Sequence, residues 1–111
     1  MFMKSFGFRP TNDKDGCLQD IHWYDGAFGY FPTYTLGAMA AAQLFSTAVK
    51  VEPKILSKLK QGDFSYLLVW LREHVHSWGS YYSTNEIMER ATGSPLDPRF
   101  YISHLKSRYM Q

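Results

Sequence analysis

The stretch from Pro32 to Phe45 restricts the fold more than any other part of the chain. It reads Pro32-Thr33-Tyr34-Thr35-Leu36-Gly37-Ala38-Met39-Ala40-Ala41-Ala42-Gln43-Leu44-Phe45. Proline is tolerated in a first helical turn because the missing N–H has no partner there, so Pro32 can open a helix. Alanine, leucine and methionine then carry it forward. Small and apolar side chains fall on most faces. Such a helix is suited to burial, and its small residues let neighbours come close. A chain of 111 residues has few elements to offer as neighbours.

The rest of the chain punctuates itself into further helices. Residues 8–20 hold Pro10, Asn12, Asp13 and Gly16, each a turn former for its own backbone reason, and read as a loop. Pro53 starts a short helix through Leu59, and Gly62 closes it. Asp63 is an N-cap candidate for a helix in which Phe64, Leu67, Leu68, Leu71, Val75 and Trp78 recur at helical spacing, with Gly79 just beyond its end. Ser83 and Glu86 make the S-x-x-E capping box of a helix reaching about Ala91, which Gly93 stops. Asp97-Pro98 supplies the cap and first residue of a last helix, with Phe100, Ile102, Leu105 and Tyr109 to pack. The expected fold is all-α, with four to five helices in a single domain over 1–111.

Composition narrows the functions. Hydrophobic residues make up 45% and charged residues 20%, a globular balance. Aromatics reach 17%, which implies a dense core or a contact face. A net charge of +2 is too weak to argue for nucleic acid, and Arg99, Lys106 and Arg108 are spaced like a solvated helix face. Cys17 is the only cysteine, so no internal disulfide can form, and a reducing, cytoplasmic setting is expected. The first residues lack a basic segment followed by a continuous apolar one, so no signal peptide is expected. No apolar run reaches about 18 residues, so no membrane span is expected.

None of His22, His74, His76 and His104 is followed by Glu, which excludes H-E-x-x-H. His74 and His76 would lie about 200° apart on a helix and could not share a metal. Chemistry-bearing side chains concentrate in residues 16–37, where amide, carboxylate, imidazole, indole and phenol groups crowd one loop-to-helix passage. Gly26 and Gly29 add backbone freedom there. On the residues alone this is either a reactive cluster or an aromatic plug with His22 held by Asp20 or a carbonyl.

The segment Gly16-Cys17-Leu18-Gln19-Asp20-Ile21-His22-Trp23 resembles the G-x-x-Q-D-x-H-W motif of the thermostable carboxypeptidase family. Phe28-Gly29-Tyr30-Phe31-Pro32-Thr33-Tyr34-Thr35-Leu36-Gly37 is similar to the same family. So are Tyr81-Tyr82-Ser83, Glu89-Arg90-Ala91-Thr92-Gly93-Ser94-Pro95-Leu96 and Leu105-Lys106-Ser107-Arg108-Tyr109. The resemblance runs from about Phe6 to Tyr109.

Several things follow from the resemblance. The fold would be the C-terminal part of a larger helical zinc-peptidase clamp. The activity would be removal of C-terminal residues from peptide substrates, with zinc or another divalent metal in the full-length enzyme and the Glu of H-E-x-x-H as base. That motif, the third-ligand Glu and I-R-x-x-A-D all precede the matched region and are absent here, so no metal ligand is expected in this chain. Related helical zinc peptidases of the thimet-oligopeptidase type place a Tyr eight residues after a His beside the groove, a spacing met by His22 and Tyr30. The resemblance therefore casts Tyr30 as transition-state donor and His22 as binder of substrate or intermediate, with Asp20 orienting His22. Gln19, Asp20, Trp23 and Tyr34 would line the substrate groove. The chain would be inactive by itself, with the missing N-terminal part or a second copy as its partner. A competing reading is a non-catalytic helical interaction module or self-associating remnant.

Overall fold

The computed structural model describes residues 2–110. Met1 and Gln111, the ends of the expected domain, lie outside the described residues. The chain gathers into two compact units, 1–34 and 35–111. Among the described residues there are seven α-helices and two 3-10 turns, and no strand. All-α is therefore correct, and the count of four to five helices is too low. The two extra helices are α1 (Phe2–Phe6) and α2 (Ile21–Tyr24). At five and four residues they are too short to show a helical period.

The first unit contains α1, the loop, a 3-10 turn at Cys17–Gln19, and α2. Side chains pin the loop locally. Asn12 Oδ1 accepts the Asp15 N–H at 3.0 Å, and Asn12 Nδ2 donates to Asp15 Oδ2 at 2.8 Å. Asp20 then caps α2, its Oδ1 accepting the His22 N–H at 3.0 Å.

The second unit is built on α3 (Pro32–Val51), which starts at the end of the first unit. After it come α4 (Lys54–Lys60), α5 (Ser65–His74), α6 (Thr84–Thr92) and α7 (Pro98–Tyr109). The core is Ala48, Ile55, Trp70 and Ala91, wrapped by Leu44, Val49, Leu59, Leu67, Leu71 and Val75. Ile55 is fully buried, worth about 1.5–3 kcal/mol by itself. The indole of Trp70 stacks on the His74 ring, centroids 4.6 Å apart at 11°.

Contrary to its apolar composition, α3 is not buried along its length. Of its residues only Gln43 and Ala48 are fully enclosed, while Leu36, Phe45 and Val51 are exposed. The physical reason is number: only a few helices are present to cover its faces. No described helix is long and apolar enough to cross a membrane.

The punctuation signals act as their chemistry demands. Asp63 Oδ1 accepts the Ser65 N–H at 2.9 Å, although Phe64 takes the cap position itself. The helix expected to run through Trp78 ends at His74, and His76–Trp78 continue as a 3-10 turn. There the His74 Nδ1–H donates to the Trp70 carbonyl at 2.9 Å, capping the last turn from its own side chain. Ser83 and Glu86 form both halves of the capping box. Gly93 ends α6 at φ +80°, a left-handed conformation that costs a residue with a Cβ about 1–2 kcal/mol. Asp97 Oδ1 accepts the Arg99 N–H at 2.9 Å at the start of α7.

Gln43 joins these elements. Its buried amide reaches the α6–α7 connection, Nε2 donating to Pro95 O at 3.0 Å and Thr92 Oγ1 at 2.8 Å. Its Oε1 accepts the Asp97 N–H at 2.8 Å.

Candidate functional site

The passage 16–37 assembles its polar groups around His22. Asp20 holds two donors of the same residue. Besides the His22 N–H, its Oδ1 lies 2.6 Å from His22 Nδ1. A carboxylate can only accept, so Nδ1 carries the hydrogen. These bonds, the backbone one foremost, hold the Asp20 carboxyl below its ordinary value of 3.8.

The other ring nitrogen is also engaged. His22 Nε2 lies 3.0 Å from the Tyr34 hydroxyl. Tyr34 stands in the first turns of α3, where Thr33 and Tyr34 donate their N–H groups to Tyr30 O and Phe31 O at 3.0 and 3.1 Å. The chain reverses between α2 and α3 because the Ala27 N–H returns to His22 O at 2.8 Å and Gly29 sits at φ +79°. That reversal carries Tyr30, Phe31 and Tyr34 back over the His22 ring.

Aromatic faces complete the cluster. Phe31 packs against His22 at 4.6 Å between centroids, and Tyr30 stacks on it at 5.7 Å and 26°. Tyr30 and Tyr34 meet edge to face at 5.4 Å. Trp23 joins through Phe31 at 5.9 Å and Phe28 at 5.6 Å. The His22 side chain is 19% exposed, whereas Tyr30 is 49% and Tyr34 55% exposed. The imidazole is covered and the two phenol-bearing residues stay open. An open hollow lined by Gly16, Cys17, Gln19, Asp20, Ile21 and Trp23 adjoins the cluster.

The candidates from sequence thus divide. Asp20, His22, Tyr30 and Tyr34 come together, and Trp23 flanks them. Gln19 lies apart from the ring cluster, its Nε2 donating to Lys14 O at 2.6 Å. Sequence reasoning missed Phe31, the ring closest to His22, and the bond from Tyr34 to His22. A signal for the first existed: Tyr30, Phe31 and Tyr34 bracket a helix start, where positions three and four apart share a face.

Comparisons with known proteins identify the lineage. The family model for carboxypeptidase Taq (M32) metallopeptidases matches residues 1–109. The chain belongs to that family. Among its M32 relatives, thermostable carboxypeptidase 1 of Pyrococcus furiosus is 39% identical over 104 residues, covering 94% of this chain and 21% of the relative. Carboxypeptidase 1 of Bacillus subtilis is 41% identical over 103 residues, 93% of this chain and 21% of the relative. Among solved M32 structures, Trypanosoma cruzi metallocarboxypeptidase 1 superposes with a TM-score of 0.88 at 41% identity, covering 99% of this chain and 23% of that one. The chain spans about a fifth of the length of the curated relatives it matches.

An M32 metallopeptidase depends on a metal. Among the described residues no three His, Cys, Asp or Glu side chains converge, and both nitrogens of His22 are committed to Asp20 and Tyr34.

Proposed function

We propose that this chain forms one wall of a zinc-dependent carboxypeptidase site that releases C-terminal residues from peptides, and that it is inert without the rest of the enzyme. The observation that carries this reading is the cluster around His22, a covered imidazole flanked by two open tyrosines, in a chain of M32 descent. When a nucleophile attacks a peptide carbonyl, negative charge gathers on the carbonyl oxygen, and a donor already in place lowers that barrier. Tyr30 is the donor: half its surface is open and its ring lies 5.7 Å from that of His22 between centroids. His22 sits beside it as binder of substrate or intermediate, exchanging its Tyr34 bond for the ligand, and Asp20 fixes the imidazole orientation. Trp23 and Phe31 cover the apolar side and limit water. Gln19 lines the open hollow beside the cluster while its amide donates to Lys14 O.

A donor without a base and an activated water leaves most of the barrier standing. The purified chain, given zinc or cobalt, should release no C-terminal residue from peptides; turnover that survives removal of contaminants contradicts the proposal. The positive test is a chimera in which this chain replaces the matched fifth of the Bacillus subtilis enzyme. The chimera should hydrolyse peptides, and Tyr30→Phe in it should lower kcat about 100- to 1,000-fold with KM little changed. An unchanged kcat removes Tyr30 from the reaction. The free, exposed Cys17 supports a cytoplasmic setting.

The exposed apolar residues of α3 favour a second reading, a non-catalytic helical interaction module or self-associating remnant. Light scattering decides it. A mass that rises with concentration supports self-association, and a monomer at every concentration sinks it.

A further inference from the structure

The bonds around His22 form a directed chain. Asp20 takes the Nδ1 hydrogen across 2.6 Å. In a neutral imidazole that leaves Nε2 with a bare lone pair, and Nε2 faces the Tyr34 oxygen at 3.0 Å. Tyr34 must then donate, and its single hydroxyl hydrogen is spent on His22. When the imidazole gains a proton, Nε2 becomes a donor as well. Asp20 cannot release Nδ1, so the Tyr34 bond reverses: Nε2–H donates to the phenol oxygen, and the phenol hydrogen swings away.

Tyr34 is more than half exposed, so the released hydrogen has open room. Tyr30, edge to face with Tyr34, lies on the same cluster. We propose that Tyr34 is a second hydrogen-bond donor to an anionic oxygen of the bound peptide, and that the proton on His22 switches it on. The proton enters at Nε2, no covalent bond between heavy atoms changes, and the Tyr34 hydrogen turns from His22 to the ligand oxygen. The titratable groups that face the ring are Asp20 from the start of α2, and Tyr30 and Tyr34 from the connection into α3; Phe31, which also packs on it, carries no charge. The Asp20 carboxyl is held below its ordinary value by its bonds to His22, so it stays an acceptor throughout.

The role in peptide binding rests on the groove reading above, but the switch itself does not. Nitrogen-15 and carbon-13 NMR of the intact chain tests the switch. At alkaline pH His22 should be the Nδ1–H tautomer, and the Tyr34 Cζ resonance should titrate with the same midpoint as the His22 ring. A dominant Nε2–H tautomer, or a Tyr34 resonance flat through the His22 titration, overturns the proposal. Asp20→Asn should weaken the tautomer preference while circular dichroism confirms the fold.

The catalytic arm is Tyr34→Phe in the active chimera. The ratio of kcat/KM between parent and variant should rise to about tenfold as His22 protonates and fall toward unity at alkaline pH. A ratio constant with pH marks a structural role and overturns the switched donor. An inactive chimera would instead sink the groove reading, with the NMR result still deciding the switch.

Discussion

Replacing Gln43 with Met should damage the second unit far more than a swap of similar shape normally does. The side chain is wholly buried, so water cannot take over its bonds. Its orientation is fixed by chemistry: Oε1 faces the Asp97 N–H, and Nε2 faces the Pro95 carbonyl. A thioether serves neither. Two backbone groups then lose their side-chain partner, each at a cost of about 1–3 kcal/mol. Nε2 also reaches Ser94 O at 3.3 Å and Ser94 Oγ at 3.1 Å; Ser94 O and Thr92 lose less, because Thr92 Oγ1 keeps its bonds to Met88 O at 2.8 Å and Ser94 O at 3.1 Å. The sum is a loss of about 2–6 kcal/mol, a large share of the 5–15 kcal/mol typical of a whole domain. For a unit of this size that lowers Tm by about 10–40 °C. Urea and thermal unfolding followed by circular dichroism measure it. A loss below about 0.5 kcal/mol would refute the accounting, because it would mean those backbone groups find other partners at little cost. Gln43→Glu sharpens the test. It keeps an acceptor for Asp97 but turns a carboxylate oxygen on the Pro95 carbonyl, so its deficit should ease as acid supplies the missing hydrogen.

Gly93→Ala should cost about 1–2 kcal/mol by urea unfolding, since φ +80° forces the strain although a Cβ meets nothing within 4 Å; an unchanged midpoint would show that the α6 end shifts freely. The helix caps set an acid limit. Asp63, Glu86 and Asp97 are held below their ordinary values of 3.8, 4.5 and 3.8, chiefly by side-chain hydrogen bonds from Ser65, Ser83 and Arg99 respectively. A depressed carboxylate stabilises fully above its unfolded value and loses that contribution as pH falls through the folded one. Helicity should therefore hold down to about pH 5 and decline below about pH 4. Loss beginning near neutrality would assign the acid response to histidines instead.

The helices of the second unit were legible because their signals are local. Ser83 with Glu86, Gly93, and Asp97 with Pro98 each act within four residues, and the backbone obeys them. Where a signal must compete, sequence misleads: His74 caps its own helix end and stops α5 before Trp78. Gln43 is the opposite case, since its partners lie 49 to 54 residues away and no period reveals them. In the first unit the Asp20–His22 pair was visible as a short-range link. The bond from Tyr34 was not, because it depends on how the chain reverses at Gly29. The diversion of Gln19 to Lys14 likewise depends on the path of the loop.

The positions of the three tryptophans make the two units separately observable. Trp23 belongs to the first unit, while Trp70 and Trp78 belong to the second, with Trp70 enclosed against His74. With Trp23 replaced by Phe, the emission comes wholly from the second unit. With Trp70 and Trp78 replaced, it comes from the neighbourhood of His22 alone. Fluorescence from such a pair of variants would show whether the His22 cluster melts with the Ile55 core or before it.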